Sequence, residues 1–426
     1  MKRDLRWLIK ALSDRGYAMI ESPVRNAGAF AFRKGVDVAR AFGILPKPQP
    51  GDGILIVNLT SHFGDGVMLL PMLEAIHAAN PATAIDIACS RGVDTLFSAV
   101  PLLRHVYAAP LTSAPPLKLV DVIRRRLAIV RWYRAALKDL HPAVCLMPRW
   151  GDDLFGSLSL AYLVGAPVRI AYDSTVDHHQ RNAPQRDRMI THRVTGGRGL
   201  HEPLRFLHVA QAGGLIPQGQ TFTTNRVVSS LQGIAAAIPW QPLQRRLGLP
   251  ASDALVVLAP GASSPNKTWP QEHWVAAAGA ILHAGFRIIL LSGPSDRAHA
   301  ESIAAALNDE RVHVVAGTTS LPESIALLSH AAAFLGNDSG PGHAAGALGL
   351  PSVILFSSLR DVYPDNSFSP QRVRPMGPYV RTLHPAALLD RCRDACITPF
   401  PHCIATIPVD EAVTTLLSLI TEKARG

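Results

Sequence analysis

The segment Gly336–His343 reads Gly-Asn-Asp-Ser-Gly-Pro-Gly-His and lies between a predicted strand and a predicted helix. Its small residues let backbone N–H groups approach a ligand, and the N-terminus of the helix favours negative charge. Asp338 suits a sugar hydroxyl or a nucleoside better than a phosphate, since like charges repel, whereas His343 can donate to a phosphate oxygen. The pattern therefore predicts a ligand-binding loop. The alternative is a capping turn with Asp338 or Ser339 as the N-cap.

A second segment, Pro260–Pro270, also follows a predicted strand and precedes a predicted helix. Ser263 and Ser264 offer hydroxyl groups to a ligand. Lys267 supplies a positive charge that could neutralise a departing diphosphate. The alternative is an ordinary polar loop with a surface lysine.

The third segment is the predicted turn Gly64–Gly66, which contains Asp65. Asp65 comes just after the carboxyl end of the first predicted strand, where open α/β sheets bind their ligands. A carboxylate there can act as a general base if it reaches the hydroxyl of an acceptor. A turn-forming aspartate with no catalytic role is the alternative.

The predicted secondary structure explains why all three segments follow strands. The strand Gly53–Leu59, the helix Val67–Asn80 and the strand Ala84–Ala88 form a βαβ unit. The same alternation restarts with the strand Ala254–Ala259 and continues to the strand Ser352–Phe356. The sequence therefore predicts an α/β protein with two doubly wound, Rossmann-like domains that face each other across a cleft.

These elements divide the chain into five predicted regions. A basic amphipathic extension covers residues 1–48, and a first Rossmann-like domain covers residues 49–220. Residues 221–250 carry turn formers and are interpreted as a connector. A second Rossmann-like domain covers residues 251–405. The C-terminal helix, within residues 406–426, is predicted to pack back towards the first domain.

Length, composition and charge limit the class of protein. The chain has 426 residues, of which 48% are hydrophobic, which is enough for two cores. Its net charge of +10 at pH 7 favours anionic partners such as nucleic acid, an anionic membrane or a phosphorylated substrate. The sequence contains no zinc-finger spacing, no aromatic RNA-binding signature and no helix-turn-helix pattern, so a nucleic-acid partner is not expected.

The five cysteines are an odd and sparse set, which indicates a reducing compartment. Cys392, Cys396 and Cys403 lie close together in the sequence, and His402 is adjacent to the last of them. We interpret them as thiols in a turn-rich segment and predict no metal site. A zinc site with these ligands is the alternative.

The N-terminal residues resemble neither a secretory signal nor a membrane span, because Lys10, Asp14 and Arg15 interrupt the apolar residues. Within them, Leu5–Leu12 has the spacing of an amphipathic helix and is flanked by lysine and arginine. Such a helix could lie on an anionic membrane or pack on the first domain. We therefore expect a cytoplasmic protein, with peripheral attachment to the inner membrane left open.

A further predicted helix carries many basic residues between Arg124 and Lys138. Its predicted apolar stripe is formed by Val120, Ile123, Leu127 and Val130. The basic residues then form a solvated face, or alternatively a surface for a phosphorylated lipid core.

Taken together, the three loop segments resemble glycosyltransferase family nine, the ADP-heptose:lipopolysaccharide heptosyltransferases. The resemblance extends from about Ile54 to Leu417. Besides the three segments, it includes Pro71, Lys267–Trp274, Leu290–Gly293, and Gly317 followed by Ser320–Glu323. It implies the GT-B architecture, in which the N-terminal domain takes the acceptor and the C-terminal domain takes the sugar nucleotide.

The resemblance also implies roles for individual residues. Asp65 would be the general base, and Lys267 would face the diphosphate of the donor. Ser263 and Ser264 would bind the phosphates, and Gly317 would lie near the nucleobase. The remaining implied donor-site positions are Asp296, in the loop after the next strand, and Asp338, Ser339, Gly340 and His343, on phosphate or heptose.

The reaction that the resemblance implies is a single displacement with inversion at the sugar. The donor would be a nucleotide sugar, with ADP-heptose as the first candidate, and the acceptor a phosphorylated or lipid-linked saccharide of the lipopolysaccharide core type. No cofactor is expected and no metal is needed, since protein groups neutralise the diphosphate and no Asp-x-Asp pair follows these strands.

Two other functions are compatible with the same residues. One is a family-nine transferase that glycosylates a protein or another polysaccharide, or that uses another nucleotide sugar. The other is an inactive subunit that only binds a sugar nucleotide. The sequence makes no prediction about the oligomeric state.

Overall fold

The computed structural model of the chain describes residues 26–49, 51–60, 62–111, 119–149, 155–176, 184–250, 254–262, 264–359, 369–387 and 402–425. The predicted helix Leu5–Leu12 and the cysteines Cys392 and Cys396 lie outside these ranges. The described residues form two compact units, with the boundary between Phe222 and Thr223. No helix among the described residues is both long enough and apolar enough to cross a membrane.

The N-terminal unit is built around a parallel six-stranded sheet with the strand order β3-β2-β1-β4-β5-β6. Helix α1 covers residues 26–41. The strands are β1 (Ile54–Asn58), β2 (Ile85–Ser90), β3 (His105–Ala109), β4 (Val144–Met147), β5 (Val168–Tyr172) and β6 (His192–Val194). The helices between and after them are α2 (Phe63–Ala79), α3 (Asp94–Ser98), α4 (Leu119–Trp132), α5 (Ser157–Val164), α6 (Pro184–Asp187) and α7 (Glu202–Ala212).

The C-terminal unit repeats this arrangement, with the strand order β12-β11-β10-β7-β8-β9. Its strands are β7 (Leu255–Ala259), β8 (Arg287–Leu290), β9 (Val312–Val314), β10 (Ala333–Asn337), β11 (Ser352–Leu355) and β12 (Val380–Leu383). Its helices are α8 (Ser229–Ala237), α9 (Trp240–Arg246), α10 (Gln271–His283), α11 (Arg297–Leu307), α12 (Leu321–Ser329), α13 (Gly340–Ala347), α14 (Pro370–Val373) and α15 (Val409–Arg425).

In both sheets the chain starts in the middle and winds first to one side and then to the other. The order therefore reverses between β1 and β4 in one sheet and between β7 and β10 in the other. The paired strands are parallel. For example, Ile54 of β1 lies opposite Ile85 of β2 on one side and opposite Val144 of β4 on the other. Ligands of open α/β sheets bind at such reversal points, beyond the carboxyl ends of the strands. The predicted fold of two doubly wound, Rossmann-like domains is confirmed.

The central strands are apolar runs because helices cover both faces of each sheet. All five residues of β1 and all five of β7 are buried. Helix α1 belongs to the N-terminal core, since its residues Ala29 and Val36 are buried there, as is Leu45 in the segment that follows the helix. Arg40 fixes this helix further by donating from Nη2 to the carbonyl oxygens of Tyr162 and Leu163.

The structure differs from the sequence prediction at the edges of the domains. Two of the four edge strands, β6 and β12, were not predicted, because both are short and contain polar residues. The predicted connector 221–250 contains α8 and α9, and α8 packs on α12 of the C-terminal unit. Helix α15 packs on α10, β10 and β11. Its predicted packing towards the first domain stays a prediction.

The predicted apolar stripe of α4 is wrong at Ile123 and Leu127, whereas Val130 packs against the core as predicted and the side chain of Val120 is outside the described part of the chain. Ile123 and Leu127 are exposed, whereas Ile129, Trp132 and the predicted solvent-facing Arg125 are buried. The guanidinium of the buried Arg125 lies 5.7 Å from the ring centroid of Phe155, a cation–π contact. The inward face of α4 is thus different from the one that its hydrophobic spacing indicates.

Candidate functional site

Asp65 lies in the first turn of α2, and not in a free turn as the glycines around it suggested. The helix begins at Phe63 and includes both Gly64 and Gly66. A Cβ atom on Gly66 would lie 2.9 Å from Cδ2 of Leu96, so this glycine permits α2 to pack closely on α3. A carboxylate in the first turn of a helix is stabilised by the helix dipole. The carboxyl group of Asp65 is therefore held at a defined place beyond β1.

The partner of Asp65 is Arg149, which follows the neighbouring strand β4. Nη1 of Arg149 donates to Oδ2 of Asp65 over 2.9 Å, and Nδ1 of His62 lies 3.8 Å from the same oxygen. The side chains of Asp65 and Arg149 are 23% and 33% exposed. A paired but accessible carboxylate thus occupies the reversal point of the N-terminal sheet. Such a group can accept a proton from a bound hydroxyl.

Arg149 is itself supported by an aromatic ring. Its guanidinium carbon lies 5.4 Å from the ring centroid of Phe155, and that of Arg125 lies 5.7 Å from the same ring. The support that Arg125 and Phe155 give to Arg149 was not predicted from the sequence. The contact is invisible in the sequence because Arg125 belongs to an uninterrupted run of three arginines.

In the C-terminal unit, Lys267 and Asp338 form the corresponding ion pair. Nζ of Lys267 lies 2.9 Å from Oδ2 of Asp338, and the two side chains are 24% and 12% exposed. Lys267 ends the short 3-10 helix Pro265–Lys267 after β7, and Asp338 directly follows β10. The lysine offsets the negative charge of Asp338. This answers the objection that a carboxylate would repel a phosphate bound at the same loop.

The loop that carries Lys267 is held in place by Asn337, the last residue of β10. Its Oδ1 accepts from the backbone N–H of Trp269 over 3.1 Å, and its Nδ2 donates to the carbonyl oxygen of Pro260 over 2.7 Å. Trp269 is buried and donates from Nε1 to the carbonyl oxygen of Ile407. Both ends of the loop are therefore fixed to a strand and to the core. The sequence shows Asn337 only as part of the motif and gives no indication of this role.

The N-terminus of α13 has the features of an anion site. Ser339 is the N-cap residue, yet its side chain makes no capping hydrogen bond, so the predicted capping alternative is not formed by this hydroxyl. The Oγ atom of Ser339 is buried and has no partner among the described protein atoms. Gly340 begins the helix, and His343 is buried in it. A buried hydroxyl without a partner at a helix N-terminus can donate to a phosphate oxygen.

Two further predicted residues lie on the same edge of the C-terminal sheet. Asp296 follows β8 and lies beside the loop after β7, since a Cβ atom on Gly261 would be 2.6 Å from Oδ2 of Asp296. Gly317 follows β9 with a φ of +68°, which favours glycine, and its N–H donates to the carbonyl oxygen of Ser292 over 2.9 Å. A Cβ atom there would be 2.9 Å from Cα of Pro294.

Of the two serines predicted to bind the phosphates, the structure describes only Ser264. The Oγ atom of Ser264 is hydrogen-bonded to Oδ1 of Asn266, within the loop after β7. Ser263 lies outside the described residues. All the other predicted donor-site residues follow the carboxyl ends of β7, β8, β9 and β10. The structure thus brings them to one edge of one sheet, while their roles in binding stay predictions.

No group of three metal-ligating side chains occurs among the described residues. Cys403 is buried, and Nδ1 of His402 lies 2.8 Å from its Sγ atom. Cys392 and Cys396 lie outside the described residues, so the alternative of a zinc site at this cluster stays open.

Comparisons with known proteins show that the chain is similar to one family. The family model described as "Glycosyltransferase family 9 (heptosyltransferase)" matches residues 224–373, which extend from α8 to α14. Lipopolysaccharide heptosyltransferase 3 of Escherichia coli K12 is 26% identical over 306 residues, covering 71% of this chain and 82% of that protein. Lipopolysaccharide heptosyltransferase 2 of Salmonella typhimurium LT2 is 34% identical over 106 residues, covering 24% and 30%.

Solved structures share the fold. The E. coli ADP-heptose lps heptosyltransferase II matches with a TM-score of 0.63 at 19% identity, over 87% of this chain and 99% of that chain. A family 9 glycosyl transferase from Veillonella parvula matches with a TM-score of 0.65 at 16% identity, over 88% and 100%. At these identities the likeness shows the common two-domain Rossmann-like architecture.

Proposed function

Because the chain is a heptosyltransferase-like glycosyltransferase of family 9, we propose that it transfers a heptose, or a similar sugar, to a lipopolysaccharide core-type acceptor. The proposed donor is a nucleotide diphosphate sugar, with ADP-heptose as the first candidate. The choice of heptose and of a lipopolysaccharide acceptor is supported by the names of two similar proteins, lipopolysaccharide heptosyltransferase 3 and lipopolysaccharide heptosyltransferase 2.

The observation that carries the proposal is the Lys267–Asp338 pair beside the N-terminus of α13. An ammonium group, the buried Ser339 hydroxyl without a partner among the described protein atoms and the positive end of the α13 dipole together suit a diphosphate. In the proposed donor complex, Nζ of Lys267 contacts the diphosphate, and Asp338 is then available to a hydroxyl of the heptose. As the sugar–phosphate bond breaks, the same donors stabilise the negative charge that develops on the leaving group.

The acceptor hydroxyl is deprotonated by Asp65 in this proposal. The acceptor oxygen attacks the anomeric carbon from the side opposite the diphosphate, a new carbon–oxygen bond forms, and the bond to the diphosphate breaks. The proton moves to the carboxylate of Asp65, and the nucleoside diphosphate departs. One displacement of this kind inverts the configuration at the anomeric carbon. Arg149 orients the carboxylate, since it is bonded to one of its two oxygens.

We also propose that the reaction needs no metal and takes place in the cytoplasm, with peripheral attachment to the inner membrane. Lys267 and the N-terminus of α13 supply the positive charge that a metal would otherwise bring. Transfer should therefore continue in an excess of EDTA. A rate that vanishes with EDTA and returns with added manganese would refute this part of the proposal.

The main experiment is a transfer assay with ADP- and UDP-linked sugars and with acceptors from truncated lipopolysaccharide cores. Mass spectrometry identifies the product, and NMR of the new linkage shows whether the anomeric configuration is inverted. We expect transfer from ADP-heptose with inversion. Transfer only from another donor, or only to a protein, would assign a different family-9 activity. Donor binding by calorimetry without transfer to any acceptor would indicate an inactive sugar-nucleotide-binding subunit.

A further inference from the structure

An exposed apolar patch lies on the N-terminal domain. Among the described residues, the large hydrophobic side chains that are exposed all lie on α1 with the turn after it, or on α4. They are Phe30, Val38, Phe42, Ile44, Ile123 and Leu127, with exposures between 43% and 77%. Isolated surface hydrophobic residues are normal in soluble proteins, but a group confined to two neighbouring elements marks an interaction surface.

The two helices that carry the apolar patch are in contact. The guanidinium carbon of Arg126 on α4 lies 5.6 Å from the ring centroid of Phe32 on α1. A Cβ atom on Gly28 of α1 would lie 2.5 Å from Nη1 of the same arginine. The two helices that carry the patch are therefore neighbours on the surface of the same domain.

The apolar patch is not the packing face of either helix. On α1, the core face is marked by the buried Ala29 and Val36. On α4, it is marked by the buried Ile129 and Trp132, while Ile123 and Leu127 are one helical turn apart on the outer side. The core of the domain therefore does not include the side chains of the apolar patch.

The charges around the apolar patch indicate what kind of partner it has. Four exposed cationic residues lie on the same two helices and on the short π-helix Tyr133–Leu137 that continues α4: Lys34, Arg124, Arg131 and Arg134. The acidic residues on these helices have cationic neighbours, since Asp37 lies 3.7 Å from Arg33 and Asp121 lies 3.9 Å from Arg124. The patch is therefore apolar with a cationic rim.

From this arrangement we infer that the apolar patch and its cationic rim dock the protein on an anionic phospholipid bilayer. The apolar side chains enter the boundary between head groups and acyl chains, while the arginine and lysine heads stay at the level of the lipid phosphates. A second copy of this chain fits less well, because a symmetric contact would bring the two cationic rims together. The charge of the surface thus favours lipid over self-association.

Docking at this surface would place a functional part of the domain near the membrane. The inner face of α4 carries Arg125, which packs on Phe155, and Phe155 in turn supports Arg149 beside Asp65. The helix that meets the lipid therefore also supports the proposed acceptor site. The docking deepens the peripheral attachment that is part of the proposed function, and this consequence for the acceptor site rests on the proposed transfer as well.

The test is co-sedimentation of the full chain with vesicles in the absence of any nucleotide sugar. Vesicles of phosphatidylethanolamine with phosphatidylglycerol should bind the protein at low salt, and vesicles of phosphatidylcholine alone should bind it weakly. The double variant Ile123→Glu/Leu127→Glu should lose the binding. Arg124→Ala/Arg131→Ala should weaken it about 25-fold, since each cation near an anionic surface accounts for about a fivefold change. The second pair also keeps the test valid if the glutamate variant fails to fold.

The matched control is Arg245→Glu, which changes an exposed arginine on α9 of the C-terminal domain. It should bind vesicles like the wild type. The inference is overturned if the wild type ignores anionic vesicles, or if both patch variants bind as the wild type does, which would assign binding to another part of the chain. It is also overturned if light scattering shows a dimer that Ile123→Glu/Leu127→Glu dissociates. Transfer to a water-soluble acceptor is measured separately, so that vesicle binding and the proposed activity can fail independently.

Discussion

At the reversal point of the N-terminal sheet, the acidic residue Asp65 follows the first strand and the basic residue Arg149 follows the fourth. At the reversal point of the C-terminal sheet the order of charges is opposite, since Lys267 follows the first strand of that sheet and Asp338 the fourth. Both pairs are closed at 2.9 Å. The same strand order thus places an ion pair at the reversal point of each sheet, but the acidic and the basic residue follow opposite strands in the two sheets.

The two ion pairs also differ in how they are supported. Asp65 is carried by the first turn of a helix, and its partner arginine rests on an aromatic ring. Lys267 is carried by a loop, which Asn337 and Trp269 fix to the strand and to the core. We infer that strand order determines where a ligand binds, whereas the residues after the strands determine whether that place handles a proton or a diphosphate.

The largest effect should come from Asp65→Asn. The amide keeps the size of the side chain but cannot accept the proton of the acceptor hydroxyl, so turnover should fall about 10²–10⁴-fold. Donor binding should be unchanged, because the residues proposed for the donor all lie in the other domain. Steady-state kinetics and donor calorimetry on the same protein separate the two effects.

Asp94→Asn is the matched control for this variant, because Asp94 occupies the first turn of the neighbouring helix α3. It should turn over substrate like the wild type. Wild-type turnover in Asp65→Asn would remove Asp65 from the mechanism and would leave the N-terminal ion pair with a purely structural role.

The next largest effect should come from Lys267→Ala, which opens the C-terminal ion pair. Both donor affinity and rate should fall, the rate by about 10²–10³-fold, because the ammonium group meets the diphosphate before and during bond breaking. Arg381→Ala is a suitable control in the same domain, since this cation is exposed and pairs with Glu422. If calorimetry and kinetics show neither donor affinity nor rate to change, Lys267 does not contact the donor.

A smaller effect is expected from Arg149→Ala. Loss of a charge-assisted hydrogen bond costs about 1.5–3 kcal/mol, which corresponds to a decrease in kcat/KM of about 10- to 150-fold. The loss should appear with varied acceptor and not with varied donor, and Arg149→Lys should restore part of it. An equal loss for both substrates, or none for either, would contradict a role of Arg149 on the acceptor side.

Much of the fold could be predicted because central strands of doubly wound sheets are buried on both faces and read as apolar runs. Strands β1 and β7 are examples, and the glycine-rich segments after them and after β10 located the candidate site. The edge strands β6 and β12 could not be predicted in this way. They are three and four residues long and contain charged or polar side chains, so only their pairing with a neighbour defines them.

The contacts inside the site could not be predicted from the sequence, for a different reason. Lys267 and Asp338 are 71 positions apart, and Asp65 and Arg149 are 84 apart, so no local spacing reveals that they pair. The exposed face of α4 was also misassigned, because periodicity cannot show that an arginine is buried against an aromatic ring. Such contacts arise from tertiary packing, which overrides local pattern.

The smallest effect on catalysis, but a clear one on stability, is expected for Asn337→Ala. Asn337 is completely buried and satisfies the N–H of Trp269 and the carbonyl group of Pro260. Its removal leaves two buried backbone groups without their partner, each at a cost of about 1–3 kcal/mol. The loop that carries Lys267 should therefore open more often, and amide hydrogen exchange at Trp269 should become faster.

The matched control for this variant lies at the reversal point of the other sheet. Asn58 ends β1 as Asn337 ends β10, and it is also buried, but its side chain accepts only a long bond of 3.4 Å from Oγ1 of Thr60. Asn58→Ala should therefore change exchange in the segment after β1 much less. Local exchange is the right measurement because two domains need not unfold in a single transition. Equal protection of Trp269 in the wild type and in Asn337→Ala would show that the lysine loop is held by other contacts, and the contrast between a helix-borne and a loop-borne ion pair would then lose its physical basis.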